Sequence, residues 1–162
     1  MADTPTKVPL ATTTLSSAGT GVTFSSISAD YTDLKLVISG AGATANITPR
    51  FRFNSNTATT YYSFTTLTGD GTTAASTRSS NSGYLTLPAW VTTASTGVVI
   101  LDIFSYSNST TYKTCLMTQG SATTSAARYV GMYRQTAAIN TIYVSASSNY
   151  AAGTTFTLYG IL

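Results

Sequence analysis

The clearest alternation of apolar and polar positions runs through YTDLKLVISG, Tyr31 to Gly40. Leu34, Leu36 and Ile38 fall on one face and Lys35, Val37 and Ser39 on the other, with Asp33 before the run and Gly40 closing it. A period of two predicts a strand with one face in a core. ITPRFRFN, Ile47 to Asn54, repeats the pattern with Phe51 and Phe53 inward and Arg50, Arg52 and Asn54 outward. Pro49 argues for an edge position or a bulge at its start. Val22 to Ile27 buries Phe24, and Thr155 to Ile161 forms the last strand, so Phe24, Leu34, Leu36, Ile38, Phe51, Phe53, Phe156 and Leu158 make up the predicted core.

Further strands are predicted over Ala11–Leu15, Tyr61–Leu67, Val98–Tyr106, Thr111–Thr118, Ala127–Arg134 and Ile139–Ser145, separated by turn sequences such as SSAGTG, TGDGTT, SNST and QTAA. Thr72 to Gly83 is small and polar, a long surface loop or a ragged edge strand. Tyr84, Leu85, Leu87 and Trp90 form a short apolar block broken by Pro88. Ala2 to Pro9 carries two prolines and little periodicity and reads as an extended arm. With no helical period and no fixed repeat, the chain is expected to be an all-β antiparallel β-sandwich or jelly roll: an arm over residues 1–10 and one domain over residues 11–162.

Composition sharpens this. Charged residues make up only 8% of the 162 positions, and the strand formers Thr and Tyr take the place of the usual helix formers. Eight basic residues are scattered without a cluster, which disfavours a nucleic-acid partner. No run is long and apolar enough to suggest a membrane helix, and the N-terminus does not have the pattern of a signal peptide. Cys115 is the only cysteine, so no internal disulfide forms.

The chain contains no histidine, and all five of its acidic residues are aspartate. A Ser-His-Asp or Cys-His arrangement therefore cannot be built, no credible zinc site exists, and no enzyme activity or cofactor is expected. Asp30 and Asp33 flank Tyr31 and are read as turn caps before calcium ligands. Asp102 shares strand parity with Val98, Ile100 and Phe104, so it is expected to point inward and pair with Arg52 or Arg134. RFRF interleaves basic and aromatic residues as single-strand nucleic-acid binders do. Strand geometry nevertheless sends Phe51 and Phe53 away from Arg50 and Arg52, which favours core phenylalanines beneath surface arginines. Eleven tyrosines, among them Tyr62, Tyr112, Tyr129, Tyr133, Tyr143 and Tyr159, exceed what one small core can hold, and some are expected at a subunit contact.

GVTFSSIS followed by YTDLKLVISG, then ITPRFRFN, and GTTFTLYGI at the end resemble a family of small virion structural proteins of tailed bacteriophages. The resemblance spans about Thr13 to Ile161 and is clearest at Phe24, Tyr31, Leu34, Leu36, Ile38, Phe51, Phe53, Phe156, Leu158, Tyr159 and Gly160. It implies a jelly-roll β-sandwich exposed on the virion, assembled in the host cytoplasm and oligomeric, by analogy a homotrimer, with major capsid or tail proteins as partners. The expected role is a capsid decoration protein that reinforces the head. The alternative is a tail or head fibre module that contacts host glycans through loops such as Thr72 to Gly83.

Overall fold

The structure, a computed structural model, describes residues 6–87, 96–121 and 125–162. Trp90 and Pro88 of the apolar block, and Asp3 in the predicted arm, lie outside the described residues. The chain forms strands β1 (Lys7–Thr14), β2 (Gly19–Phe24), β3 (Asp33–Gly40), β4 (Pro49–Phe53), β5 (Tyr62–Gly69) and β6 (Ala74–Ser82). They are followed by β7 (Leu85–Thr86), β8 (Gly97–Ile103), β9 (Lys113–Ser121), β10 (Ser125–Tyr133), β11 (Ile142–Tyr150) and β12 (Thr155–Ile161). The strands build two antiparallel sheets, a large one in the order β1-β12-β3-β8-β9-β10-β5-β6 and a small one in the order β2-β11-β4-β7. The two sheets share one core, and the molecule is an all-β sandwich.

YTDLKLVISG is β3, an interior strand of the large sheet. Leu36 sits between Leu158 of β12 and Leu101 of β8, and Ile38 between Phe156 and Val99. From the small sheet Phe24, Phe51, Phe53, Ile142 and Val144 close over them, so Phe24, Leu34, Leu36, Ile38, Phe51, Phe53, Phe156 and Leu158 are all buried. Close approach requires glycine at several positions, Gly160 and Gly21 among them. Gly160, opposite Leu34, lies under the ring of Tyr31, and a Cβ there would fall 2.4 Å from a ring carbon. Gly21, at φ +145°, would bring a Cβ within 1.9 Å of the Val144 carbonyl oxygen.

The structure departs from the sequence reading in several places. The boundary at residue 10 moves, because Lys7–Leu10 open β1, which pairs with β12 along its length. The β1 register shifts between Pro9 and Ala11, where proline removes a donor on the sheet edge. Thr72 to Gly83 is mostly the edge strand β6, exposed along nearly its whole length and held by β5 alone. Pro49 begins β4 between β11 and β7, so it marks a strand start rather than an edge. In β8 the face is the opposite of the expected one: Val99, Leu101 and Ile103 are buried, whereas Val98 and Phe104 are exposed and Asp102 is half-buried.

The tyrosines divide between core and surface. Tyr62 and Tyr133 stack at 5.2 Å between ring centres, and Phe53 meets Tyr133 edge-on at 5.3 Å, joining β4 of one sheet to β5 and β10 of the other. The Tyr62 hydroxyl accepts the Phe53 N–H at 2.8 Å, and Asn56 donates to the Tyr133 hydroxyl. Burial pushes the phenols of Tyr62 and Tyr133 above their ordinary pKa. Tyr129 is also buried, Tyr143 and Tyr159 are half-buried, and Tyr112 is exposed.

Candidate interaction surfaces

Asp102 lies on the outer face of the large sheet and pairs with Lys35, directly opposite it on β3. The expected partners are engaged elsewhere. Arg52 donates from Nε to the Gly83 carbonyl at 3.2 Å. Arg134 reaches the Thr60 carbonyl, the Asn81 side chain and, at 2.5 Å, the Ser80 carbonyl, tying the end of β10 to the β6 edge. The other described aspartates shape turns. The Asp33 carboxylate accepts the Ser105 N–H at 2.7 Å, and Asp30 accepts from the Ser28 hydroxyl. Asp70 accepts the N–H groups of Thr73 and Thr72, which hold its carboxyl below the usual value. Among the described residues no cluster of three metal-ligating side chains forms. Cys115 is buried and unpaired, and burial pushes its thiol pKa up.

Lys113 is a residue the sequence did not single out. Its ammonium is buried with no carboxylate partner among the described residues and donates to the carbonyls of Thr136 at 2.6 Å, Thr111 at 3.1 Å and Gln135 at 3.3 Å. These three bonds clamp the loops at one end of β9 and β10. Desolvation lowers its pKa.

Two surfaces break the rule that the solvent side of a sheet is polar and neutral. The first is the outer face of the large sheet across β9, β10 and β5. Leu116 pairs with Val130, Val130 with Thr65, and Arg128 with both Thr118 and Leu67. Leu67 is 60% exposed, Val130 55% and Leu116 38%. They line a shallow depression of about 450 Å³ together with Thr65, Ser76 and Arg128. Outward-facing leucine and valine on adjacent strands form a continuous apolar area, unlike the isolated apolar residues common on any protein surface.

The second surface is the outer face of the small sheet. Inward Phe51 and Phe53 leave the neighbouring arginines on the outside, and both guanidiniums approach one ring: Arg50 lies 4.8 Å and Arg52 5.5 Å from the centre of Tyr84. The Arg50 Nε is buried without a hydrogen-bond partner. Strand register sets Tyr143 beside Arg52 and Ser145 beside Arg50 on β11, with Thr86 beside Arg50 on β7. Sequence reasoning weighed the two arginines against the phenylalanines they alternate with, and Arg52 as a partner for Asp102, but not against Tyr84. The ring they share comes from a residue some thirty positions away, which local periodicity cannot bring in.

No family model matches the chain, and no curated protein matches it. The solved structures similar to it include a doubly substituted alginate lyase Aly36B in complex with alginate tetrasaccharide, 11% identical, covering 97% of this chain and 98% of that one at a TM-score of 0.37. A second substituted form of that lyase, with alginate trisaccharide, is 10% identical, with coverages of 96% and 88% and a TM-score of 0.30. At these TM-scores nothing about this chain follows from the likeness.

Proposed function

We propose that the chain is a virion structural protein of a tailed phage, a capsid decoration protein that works by packing against neighbours in an assembly. The observation that carries this reading is the apolar outer face formed by Leu67, Leu116 and Val130. Leaving such a face in water is costly, and burying it against another subunit removes roughly 25 cal/mol per Å² of that cost. A protein used in many symmetric copies needs a face of this kind and no reacting group.

Topology supports the jelly-roll form of the proposal. β1 pairs with β12, β2 with β11, β3 with β8 and β4 with β7, the pairing expected of a long antiparallel ribbon rolled into two sheets. The hairpins β5–β6 and β9–β10 are then insertions that widen one sheet. They also carry most of the apolar face. Two of the stretches behind the family resemblance are neighbours, since FTLYGI lies in β12 and sits beside YTDLKLVISG in β3.

Light scattering on the purified chain tests the proposal. The expected result is an oligomer, a trimer by analogy, that falls to monomer in the Leu67→Asp/Val130→Asp variant while its thermal transition is kept. A monomeric wild-type chain, together with isolated single copies on particles, would overturn it. Counting copies on purified particles separates the roles, because many copies per particle fit decoration and only a few fit a tail or fibre.

A further inference from the structure

We infer that Arg50, Arg52 and Tyr84 form a binding site for the carboxylate of an acidic saccharide on the outer face of the small sheet. The two arginines are alternate residues of one strand and project from the same side of it. Neither makes an ion pair among the described residues, where Lys35 and Asp102 form the salt bridge that is seen. Each is instead positioned by the Tyr84 ring, Arg52 also by its bond to the Gly83 carbonyl. Two like charges held around one ring repel each other, and an anion settling between them relieves that repulsion. Guanidinium groups fixed in this way meet a carboxylate through paired N–H···O bonds without losing much further side-chain freedom.

The surroundings select the kind of anion. The described acidic residues, Asp30, Asp33, Asp70 and Asp102, all lie outside β2, β4, β7 and β11, so no carboxylate on the small sheet competes. A nucleic acid would need a basic track several phosphates long. Here Lys7, Lys35, Arg78, Lys113 and Arg128 belong to strands of the large sheet, and Arg134, just past β10, is taken up by the Thr60 and Ser80 carbonyls and the Asn81 side chain, so the pair on β4 is not part of a continuous basic track. What flanks the pair is Tyr143, half-buried, with the hydroxyls of Ser145 and Thr86. A ring to lie against and hydroxyls beside a localised positive charge suit a sugar that carries one carboxylate per residue. The site occupies the opposite layer from the apolar face and stands independently of the assembly role, so either can fail alone.

Calorimetric titration of the full chain tests this, with three probes: a uronic-acid trisaccharide, the same trisaccharide with its carboxylates reduced to alcohols, and a short single-stranded oligonucleotide. The expected result is binding of the uronate at least ten-fold tighter than of its neutral counterpart, weakened by salt and lost in Arg50→Gln/Arg52→Gln. Tyr84→Leu should weaken it while leaving both charges in place. Thermal melts of the variants establish that they are folded. No preference for the uronate, undiminished binding by the folded double variant, or tighter binding of the oligonucleotide would each overturn the assignment.

Discussion

Leu36 and Asp102 occupy neighbouring strands and show how differently two positions on one sheet contribute. Leu36 is wholly buried between Leu101 and Leu158, and truncating it leaves a void that the surrounding strands cannot close. Leu36→Ala is expected to cost about 2 to 5 kcal/mol in urea or thermal unfolding. Asp102 faces the other way, and both members of its pair with Lys35 keep more than a quarter of their side-chain surface in water. Asp102→Asn should therefore change stability by less than about 1 kcal/mol. A large loss on Asp102→Asn with a near-neutral Leu36→Ala would reverse the assignment of the two faces.

At the scale of elements, strand legibility followed the contrast between the two faces. β3 and β4 alternate cleanly because one side meets the other sheet and the other side meets water. GVVILDIF is apolar at nearly every position, so periodicity could not choose between Val98/Ile100 and Val99/Leu101. The charged Asp102 marks the solvent face, and reading it as an inward ion-pair member inverted the strand. β6 has no large apolar side chain and exists because β5 offers it a ladder; its polar sequence and Arg78 suit an edge that must not recruit other strands. The Arg50–Arg52–Tyr84 cluster was illegible for another reason, since its parts come from separate segments that only the folded sheet brings together. Hydrogen exchange should show the gradient in stability among these elements. The amides of β12 and β3 are expected to exchange slowest and those of β6 fastest. Equal protection of β6 and β12 would contradict their placement at the edge and in the interior.

For the whole molecule, the pH dependence of stability follows from which groups are buried. With no histidine, the side chain that ordinarily titrates near neutrality is absent, and stability should be flat from about pH 5 to pH 8. Burial raises the pKa of Cys115 and of Tyr62, Tyr106, Tyr129, Tyr133 and Tyr150, that of Tyr129 to about 12. In the unfolded chain the thiol ionises near 9.0 and the phenols near 10.0. The native state thus keeps protons that the unfolded state gives up, and its stability is lost as pH rises from these ordinary values through the raised ones. Lys113, whose pKa is lowered, acts in the opposite sense and gains as pH climbs toward 10.5, but it is one group against six. Melting temperatures should hold level through neutrality and fall steeply above about pH 9 to 10. A melting temperature that still holds at pH 11 would show that these side chains are not buried.

The position of β12 has a consequence for how the protein is made. β12 separates β1 from β3, and β11 separates β2 from β4, yet both are synthesised after every strand they divide. While the chain is still growing from the ribosome, each sheet has a gap one strand wide, bordered by unpaired backbone on both sides. The small sheet does not close until β11 has been made, nor the large one until the FTLYGI segment of β12 has been delivered and inserted. Folding must therefore finish late, through contacts between distant parts of the chain, and such folding is slow. A chain cut short before β12 would leave β1 and β3 with open strand edges in place of a closed large sheet.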